Sequence, residues 1–484
     1  MSNQDISEKT LTTRYVTPKE NLIYGIANGG QCMSYTFLCS YITYFFVNVF
    51  NIDAKIVSLM LFIEGIWDTI NDPLMGSLVD KTRTRYGKFR PYLMAVPIPL
   101  AITTIALFAG PLLVGEGGSD APRKIVYMTI TYFLWEFFYT IGDVPFWSLS
   151  AAISPNPDDR TRAITSARFI STVVGAIPGI AMPILIDLSS RKIIAIGFRE
   201  LFFIVALITS ILGMALFSLS GFAVKERVQQ SSEEPTLKEC LSGLYKNKYL
   251  RILISKEVLS AFGGIGGTFG TYYFVDVLGV ASASLLMGIP NAIVSLSSFF
   301  FLKFFKKFMN NRQMIIFSKF YSFILSLLKY TIGYKHYSSL SFIIPLFMIL
   351  DAFGGITNGI NSVVPMEMIG ETVDYAEYTT GQRTEGISFS VMTFVGKFSN
   401  ALSRSSGTFL LDVIGYKTSD ESAIVKQSAS TKSKIWALYT IIPALLGIIG
   451  VFPMFFYDLT GSKREDMYKE LTEMRIEKSK AATS

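Results

Sequence analysis

The sequence predicts an all-α polytopic membrane protein with twelve transmembrane helices in two six-helix bundles. Three observations carry that prediction. Half of the 484 residues are hydrophobic. Only 17% are charged, against roughly a quarter in soluble domains. Apolar runs of about 20 residues, the length that crosses a bilayer, recur along the whole chain.

In order, the runs fall at 21–50, 54–79, 92–113, 124–152, 162–188 and 198–224, then at 249–277, 281–305, 312–333, 338–368, 379–415 and 434–458. Between the two sixes, KERVQQSSEEPTLKECLSGLYKNK (225–248) is charged and contains Pro235. It reads as a cytoplasmic central loop with a short helix after the N-cap residue Thr236. The expected organisation is an N-terminal bundle (1–224), the central loop (225–248), a C-terminal bundle (249–458) and a cytoplasmic tail (459–484). Within the tail, MYKELTEMRIEK reads as a soluble helix. Six and six around a hydrophilic loop is the layout of the major facilitator fold. Repetition between the halves looks weak, because loop 303–312 (KFFKKFMNNR) barely matches its counterpart at 80–90.

Alternate loops differ in charge. With both termini inside, the inner loops and tails hold 27 Lys and Arg against 11 outside, which places both termini in the cytoplasm. The net charge of +7 therefore reflects topology, and nucleic acid is not an expected partner. Cys32, Cys39 and Cys240 form no disulfide framework, and one histidine forms no metal cluster. No nucleophile–base pair is visible, so an enzyme is not expected. Residues 1–20 are polar and no cleavage site follows the first run, so no cleavable signal peptide is expected.

Charge inside a bilayer costs about 2.5–3.5 kcal/mol on insertion scales, so intramembrane ionisable residues are functional candidates. Asp68, Asn71 and Asp72 project from one helix face at i, i+3 and i+4. Two carboxylates so close do not both ionise cheaply without a cation between them. The alternative is a carboxylate pair satisfied by Lys or Arg from another helix. In the fourth run Thr140, Asp143 and Trp147 fall on successive turns. A carboxylate beside an indole suits a sugar: the acid accepts from hydroxyls and the ring packs on C–H faces. The competing role for Trp147 is an interfacial belt residue. Arg168 and Lys397 are the counter-charges to these acids, while Lys256, Glu257 and Arg404 are weaker candidates. Glu64 and Glu136 are left unassigned. Lys319 and Lys329 read as snorkelling from the ninth run. The glycine-rich stretches 263–270 and 351–359 serve close packing or bending.

With those residues in view, the chain resembles the glycoside–pentoside–hexuronide:cation symporters, a branch of the major facilitators. The matching stretches are WDTINDPLMG with TRTRYGKFRPY, then YTIGDVPFWSL, then VDYAEYTTGQRTEGISFSVMTFVGK. They lie in both halves, so the likeness covers essentially the whole chain. The resemblance implies a cation site of Asp68, Asn71, Asp72 and Thr140, with Asp68 and Asp72 as the Na⁺ carboxylates. It implies sugar contacts from Asp143, Trp147 and Arg168, and a charge-balancing Lys397 near the cation. It also implies a polar pair, Arg383 and Glu385, before the eleventh helix. Where the family's best-known member has a Lys–Asp pair in the first helix, this chain has Gln31 and Cys32. A family tryptophan is replaced near Ser362 and an arginine by Gly65, so the sugar is expected to differ.

The resulting expectation is a secondary active symporter of the cytoplasmic membrane, working as a monomer among lipids. It would couple uptake of a glycoside, pentoside or hexuronide to a cation by alternating access, with no other cofactor. The neutral oxygens of Asn71 and Thr140 favour Na⁺ (or Li⁺) over H⁺. The basic loop Lys81, Arg83, Arg85, Lys88 and Arg90, with Arg383 and Glu385, would hold a gate, pairing with helix ends or acids such as Asp80 and Asp158. Two alternatives stand beside this reading: the same fold carrying a lysolipid, and a membrane sensor that does not transport.

Overall fold

Without water, every backbone N–H and C=O in a bilayer core must find its partner within its own segment, which leaves helices as the available form for these runs. The computed structural model describes residues 14–115, 117–154, 156–227, 247–380, 385–418 and 426–483. It contains the twelve helices. The first six are α1 (Pro18–Tyr44, running on through a π-turn at Phe45–Val49), α2 (Ala54–Lys81), α3 (Arg90–Ala95 and Pro97–Leu113), α4 (Pro122–Ala152), α5 (Pro157–Ser190) and α6 (Phe198–Ala223). The second six begin with α7, broken into Lys248–Ala261, Phe262–Gly264, Ile265–Tyr272 and Tyr273–Val277. They continue as α8 (Ala283–Phe305), α9 (Asn311–Gly333), α10 (Leu340–Gly355 and Asn358–Thr380), α11 (Glu385–Val413) and α12 (Ala429–Tyr439, Ile441–Ile449 and Phe452–Phe456). A further helix, α13 (Gly461–Thr483), follows. The breaks in α7 and α10 fall within the glycine-rich stretches.

By contacts the chain divides into two units, Met1–Glu234 with Lys417–Val425, and Pro235–Tyr416 with Lys426–Ser484. Among the described residues, six helical segments cross a membrane on length and apolar composition alone. Others, such as α2 with Glu64, Asp68 and Asp72, carry acids within the span. The outer face of α2 shows why it still belongs in lipid. Ile63, Ile66, Ile70, Leu74 and Leu78 are exposed in a helical stripe, while Glu64 and Asn71 are buried.

In the first unit, Phe37 and Phe45 of α1, Phe108 of α3 and Phe202 of α6 form a buried aromatic core, with Phe45 and Phe108 centroids 4.5 Å apart. In the second, Tyr273 packs on Trp436 and Tyr439 at 5.3 and 5.1 Å.

A repeat between the halves is present after all, at helix ends and not in the loops where the sequence comparison looked for it. TYFFVNVFNI (43–52) and TYYFVDVLGV (271–280) both close a helix with a π-turn. Phe50 N–H donates to Phe45 O and Ile52 N–H to Phe46 O; Leu278 N–H donates to Tyr273 O and Val280 N–H to Phe274 O. Both stretches then turn through a left-handed residue, Asn51 at φ 53° and Gly279 at φ 70°.

Polar groups at the bundle ends are satisfied in clusters. Glu226 accepts the N–H groups of Lys88, Phe89 and Arg90 at 2.8, 2.9 and 3.0 Å. Gly87 (φ 115°) lets the loop close over that carboxylate, since a Cβ there would lie 2.6 Å from Glu226 Cδ. Glu20 pairs with Arg227 at 2.8 Å and accepts Lys225 N–H. In the second unit, Glu371 accepts from Asn311, Tyr457 and Arg464, each at 2.9 Å, docking α13. Asp458, between α12 and α13, is pushed up by burial. Hydrogen bonds from Lys463, Lys248 and Tyr249 outweigh that and hold its carboxyl well below the usual range.

Two lysines depart from expectation. Lys329 does not snorkel: it pairs with Asp351 of α10 and sits 5.0 Å from the Phe347 ring centre. Lys319 turns inward and lines a cavity with Lys256 and Glu257. The segment around Thr236 and the residue Arg383 lie outside the described residues, as do the side chains of Asp80, Asp158 and Glu385.

Replacing Glu226 with Ala leaves three N–H groups without their carboxylate, a change expected to cost about 1–3 kcal/mol. The thermal midpoint of the purified protein in detergent should fall; an unchanged midpoint would show that solvent satisfies the loop equally well.

Candidate functional site

Helix α4 carries the site on one stripe. Glu136, Thr140, Asp143 and Trp147 follow one another at spacings of four, three and four residues, so they share a face. Its lower part meets α2. Asp68 and Glu64 of α2 lie close to Glu136. Glu136 and Glu64, unassigned from sequence, therefore join the acidic cluster. The signal was present: each stands four residues from a candidate on its own helix.

Thr140 and Asn71 are each 2% exposed. The Thr140 hydroxyl and the Asn71 Nδ2 have no hydrogen-bond partner among the described residues. An unmade hydrogen bond in such a place costs about 1–3 kcal/mol. A hydroxyl oxygen and an amide that can present its oxygen after a half-turn are the donors a hard cation uses. Asp68 and Asp72 supply carboxylates on the same helix as Asn71. Among the described residues, no three His, Cys, Asp or Glu side chains converge as a metal site, so a cation here would draw on the neutral oxygens as well.

The upper part of the stripe meets α1 and α5. Gln31 of α1, 1% exposed, donates from Nε2 to Asp143 Oδ1 at 2.8 Å, and its own Oε1 has no partner among the described residues. Arg168 of α5 places its guanidinium 4.2 Å from the Trp147 ring centre, a cation–π contact. Below it, Phe146 stacks on Tyr24 of α1 at 4.4 Å and 4°, and the Tyr24 hydroxyl donates to Phe146 O at 2.9 Å. That pair fixes the rotation of α4 against α1. Asn28 Nδ2 donates to Ala167 O and ties α1 to α5. Helix α1 comes this close to α6 because Gly30 has no side chain; a Cβ there would lie 2.7 Å from Leu216 Cβ. Pro145, between Asp143 and Trp147, removes one backbone bond from the turn that carries both.

Asp143, Trp147 and Arg168 are thus grouped, and Gln31 is an addition the sequence offered only as a departure from the family pattern. Seven residues of helix, about 10 Å, separate Glu136 from Asp143. Lys397 lies half-buried on α11 in the second unit. In the basic loop, Lys81 closes α2, Arg83 donates to Thr82 O, Arg85 lies over Tyr86 and Lys88 over Phe89. Arg90 donates to the Gly221 and Phe222 carbonyls at the C-terminal end of α6, a favourable place for a cation.

Comparison with known proteins adds to this geometry. A family model described as MFS/sugar transport protein matches residues 23–461. A lactose permease of Lactobacillus delbrueckii subsp. bulgaricus is 28% identical, over 89% of this chain and 68% of its own length. A glucuronide carrier protein homolog of Escherichia coli (strain K12) is 25% identical, over 97% and 96%. Among solved structures, the nucleoside transporter NupG superposes with a TM-score of 0.59 at 15% identity, covering 91% of this chain and all of that one; at that identity the likeness is one of fold.

Thr140→Val exchanges an unpartnered hydroxyl for a methyl of the same shape. In the absence of ligand its thermal midpoint should stay level or rise. Stabilisation by NaCl relative to choline chloride, expected for the parent protein, should be lost. An equal Na⁺-dependent shift in both proteins removes Thr140 from the cation site.

Proposed function

The chain belongs to the MFS/sugar transport protein family, the glycoside–pentoside–hexuronide:cation symporters, and on that premise we propose that it couples uptake of such a sugar to Na⁺ by alternating access. The observation that carries the coupling is the single stripe on α4, which joins an acidic cluster with two unsatisfied neutral groups to an acid–indole pair. In this reading Na⁺ enters between Asp68 and Asp72, with Asn71 and Thr140 as neutral ligands. Its charge relieves the repulsion among Glu64, Asp68 and Glu136 and orders α2 against α4. The sugar then exchanges hydrogen bonds with Asp143 and Gln31, packs its C–H face on Trp147, and meets Arg168. Coupling of this kind is typically worth about 1–3 kcal/mol. Lys397 balances charge when the cation leaves. The protein works as a monomer in the cytoplasmic membrane with both termini inside, and the Lys81–Arg90 loop with Arg383 and Glu385 belongs to the gate.

A second reading, H⁺ coupling, draws on the contact between Glu136 and Asp68. Two carboxyl groups this close do not both ionise cheaply, and a shared proton relieves the repulsion. A proton shared there would serve as the coupling ion, with Asn71 and Thr140 hydrating it.

Uptake by reconstituted vesicles separates these readings. With a panel of glycosides, pentosides and hexuronides, an imposed Na⁺ gradient should drive accumulation of at least one sugar. Accumulation driven by a proton gradient alone would select the second reading, and no gradient-driven uptake of any sugar would refute both. Asp72→Asn should abolish accumulation. Asp143→Ala should abolish sugar binding in equilibrium dialysis while the cation still stabilises the protein; normal binding would remove Asp143 from the sugar site.

A further inference from the structure

The second unit contains a partly open cavity of about 480 Å³ lined by residues of α7, α9, α11 and α12, which the reading above does not use. That volume is in the size range of pockets that take an organic molecule. Its charge is unbalanced. Lys256, 13% exposed, is already paired with Glu257 at 2.8 Å. Lys319 reaches the same pair from α9, which gives the lining two ammonium groups and one carboxylate. At membrane depth an uncompensated charge is costly.

The rest of the lining is rich in hydroxyls. Ser399 is 6% exposed, and its hydroxyl and that of Ser260, whose oxygen is also buried, have no partner among the described residues. Tyr439 adds an aromatic ring. The repeat gives these positions a context. The π-turns that close α1 and α7 lie 228 residues apart, at Phe45 and Tyr273. That offset puts Lys256 and Ser260 where α1 has Asn28 and Cys32, on the helix that supplies Gln31 to the first site. The same interval brings Ser399 of α11 into register with Ser171 of α5.

We propose that this cavity is a second ligand site, specific for a small hydroxylated carboxylate. The single negative charge balances Lys319. The ligand's hydroxyls exchange hydrogen bonds with Ser260, Ser399 and Glu257, and its C–H face lies on Tyr439.

The probe is D-glucuronate, titrated by calorimetry into purified full-length Asp143→Ala protein in detergent at constant ionic strength. That background removes the first sugar site, so failure of the transport reading is not confused with failure here. Saturable binding is expected, with none for D-glucose. Adding Lys319→Gln should weaken it by about tenfold or more, while Lys319→Arg keeps it within about threefold. Ser399→Ala should weaken it with no loss of thermal midpoint. Should Asp143→Ala not fold, the Lys319→Gln comparison in the parent background serves: loss of a glucuronate binding step supports the site, and unchanged binding overturns it. The proposal is also overturned if glucuronate does not bind the folded protein or if D-glucose binds equally. Displacement by chloride at the same concentration would overturn it too, by making this a site for simple inorganic anions.

Discussion

The arrangement rests on one constraint: a polar group removed from water must find a partner inside the protein. Most groups here do. Glu226, Glu20 and Glu371 each gather several donors at helix ends, and Asp351 takes Lys329 within the span. Against that background, the groups left without a partner among the described residues stand out. Thr140, Asn71 and Gln31 are three of them in the first unit, on α4, α2 and α1, Ser260 and Ser399 line a cavity in the second, and the indole N–H groups of Trp67 and Trp436 are others. Apolar residues would remove each cost at no loss of packing, so their presence points to ligands that complete the bonding.

Helices α1 and α7 show how related scaffolds acquire different chemistry. Both end in the same π-turn followed by a left-handed residue, a backbone solution that tolerates few side chains. The faces that precede those turns are under no such restriction. On α1 the face is neutral, with Asn28, Gln31 and Cys32, and it borrows its charge from Asp143. On α7 it carries Lys256 and Glu257. The turn preserves geometry, while the side chains roughly four to five turns earlier differ in charge.

Much of this was legible in the sequence, for identifiable reasons. Span length and apolar content are local, so the twelve segments could be read directly. Asp68, Asn71 and Asp72 share a face of one helix, and helical periodicity alone reveals that. Partnerships between helices carry no such signal. The contact between Asp68 and Glu136 joins residues far apart in sequence, and each taken alone is merely an acid in an apolar run. Gln31 could be read as the replacement of a family lysine, with the missing acid at Cys32, but not as a donor to Asp143. The inward turn of Lys319 was hidden because a long flexible stem satisfies the snorkelling expectation equally well. The repeat was missed because loops diverge freely, whereas the constrained element is the helix exit.

The choice of coupling ion comes down to one contact on α4. A sodium ion needs several oxygens at close range, and the buried Thr140 hydroxyl and Asn71 amide offer them without adding charge. A proton needs only a carboxyl pair, which Asp68 and Glu136 provide. The two are not independent, because both draw on Asp68. In the proposed scheme, sodium bound at Asp68 and Asp72 would withdraw Asp68 from Glu136, and a proton held between Asp68 and Glu136 would weaken the seat for sodium. On either proposed reading the two ions would compete for this shared residue. Asp143, seven residues from Glu136 on the same helix, would respond to either, in that scheme, through the position of α4.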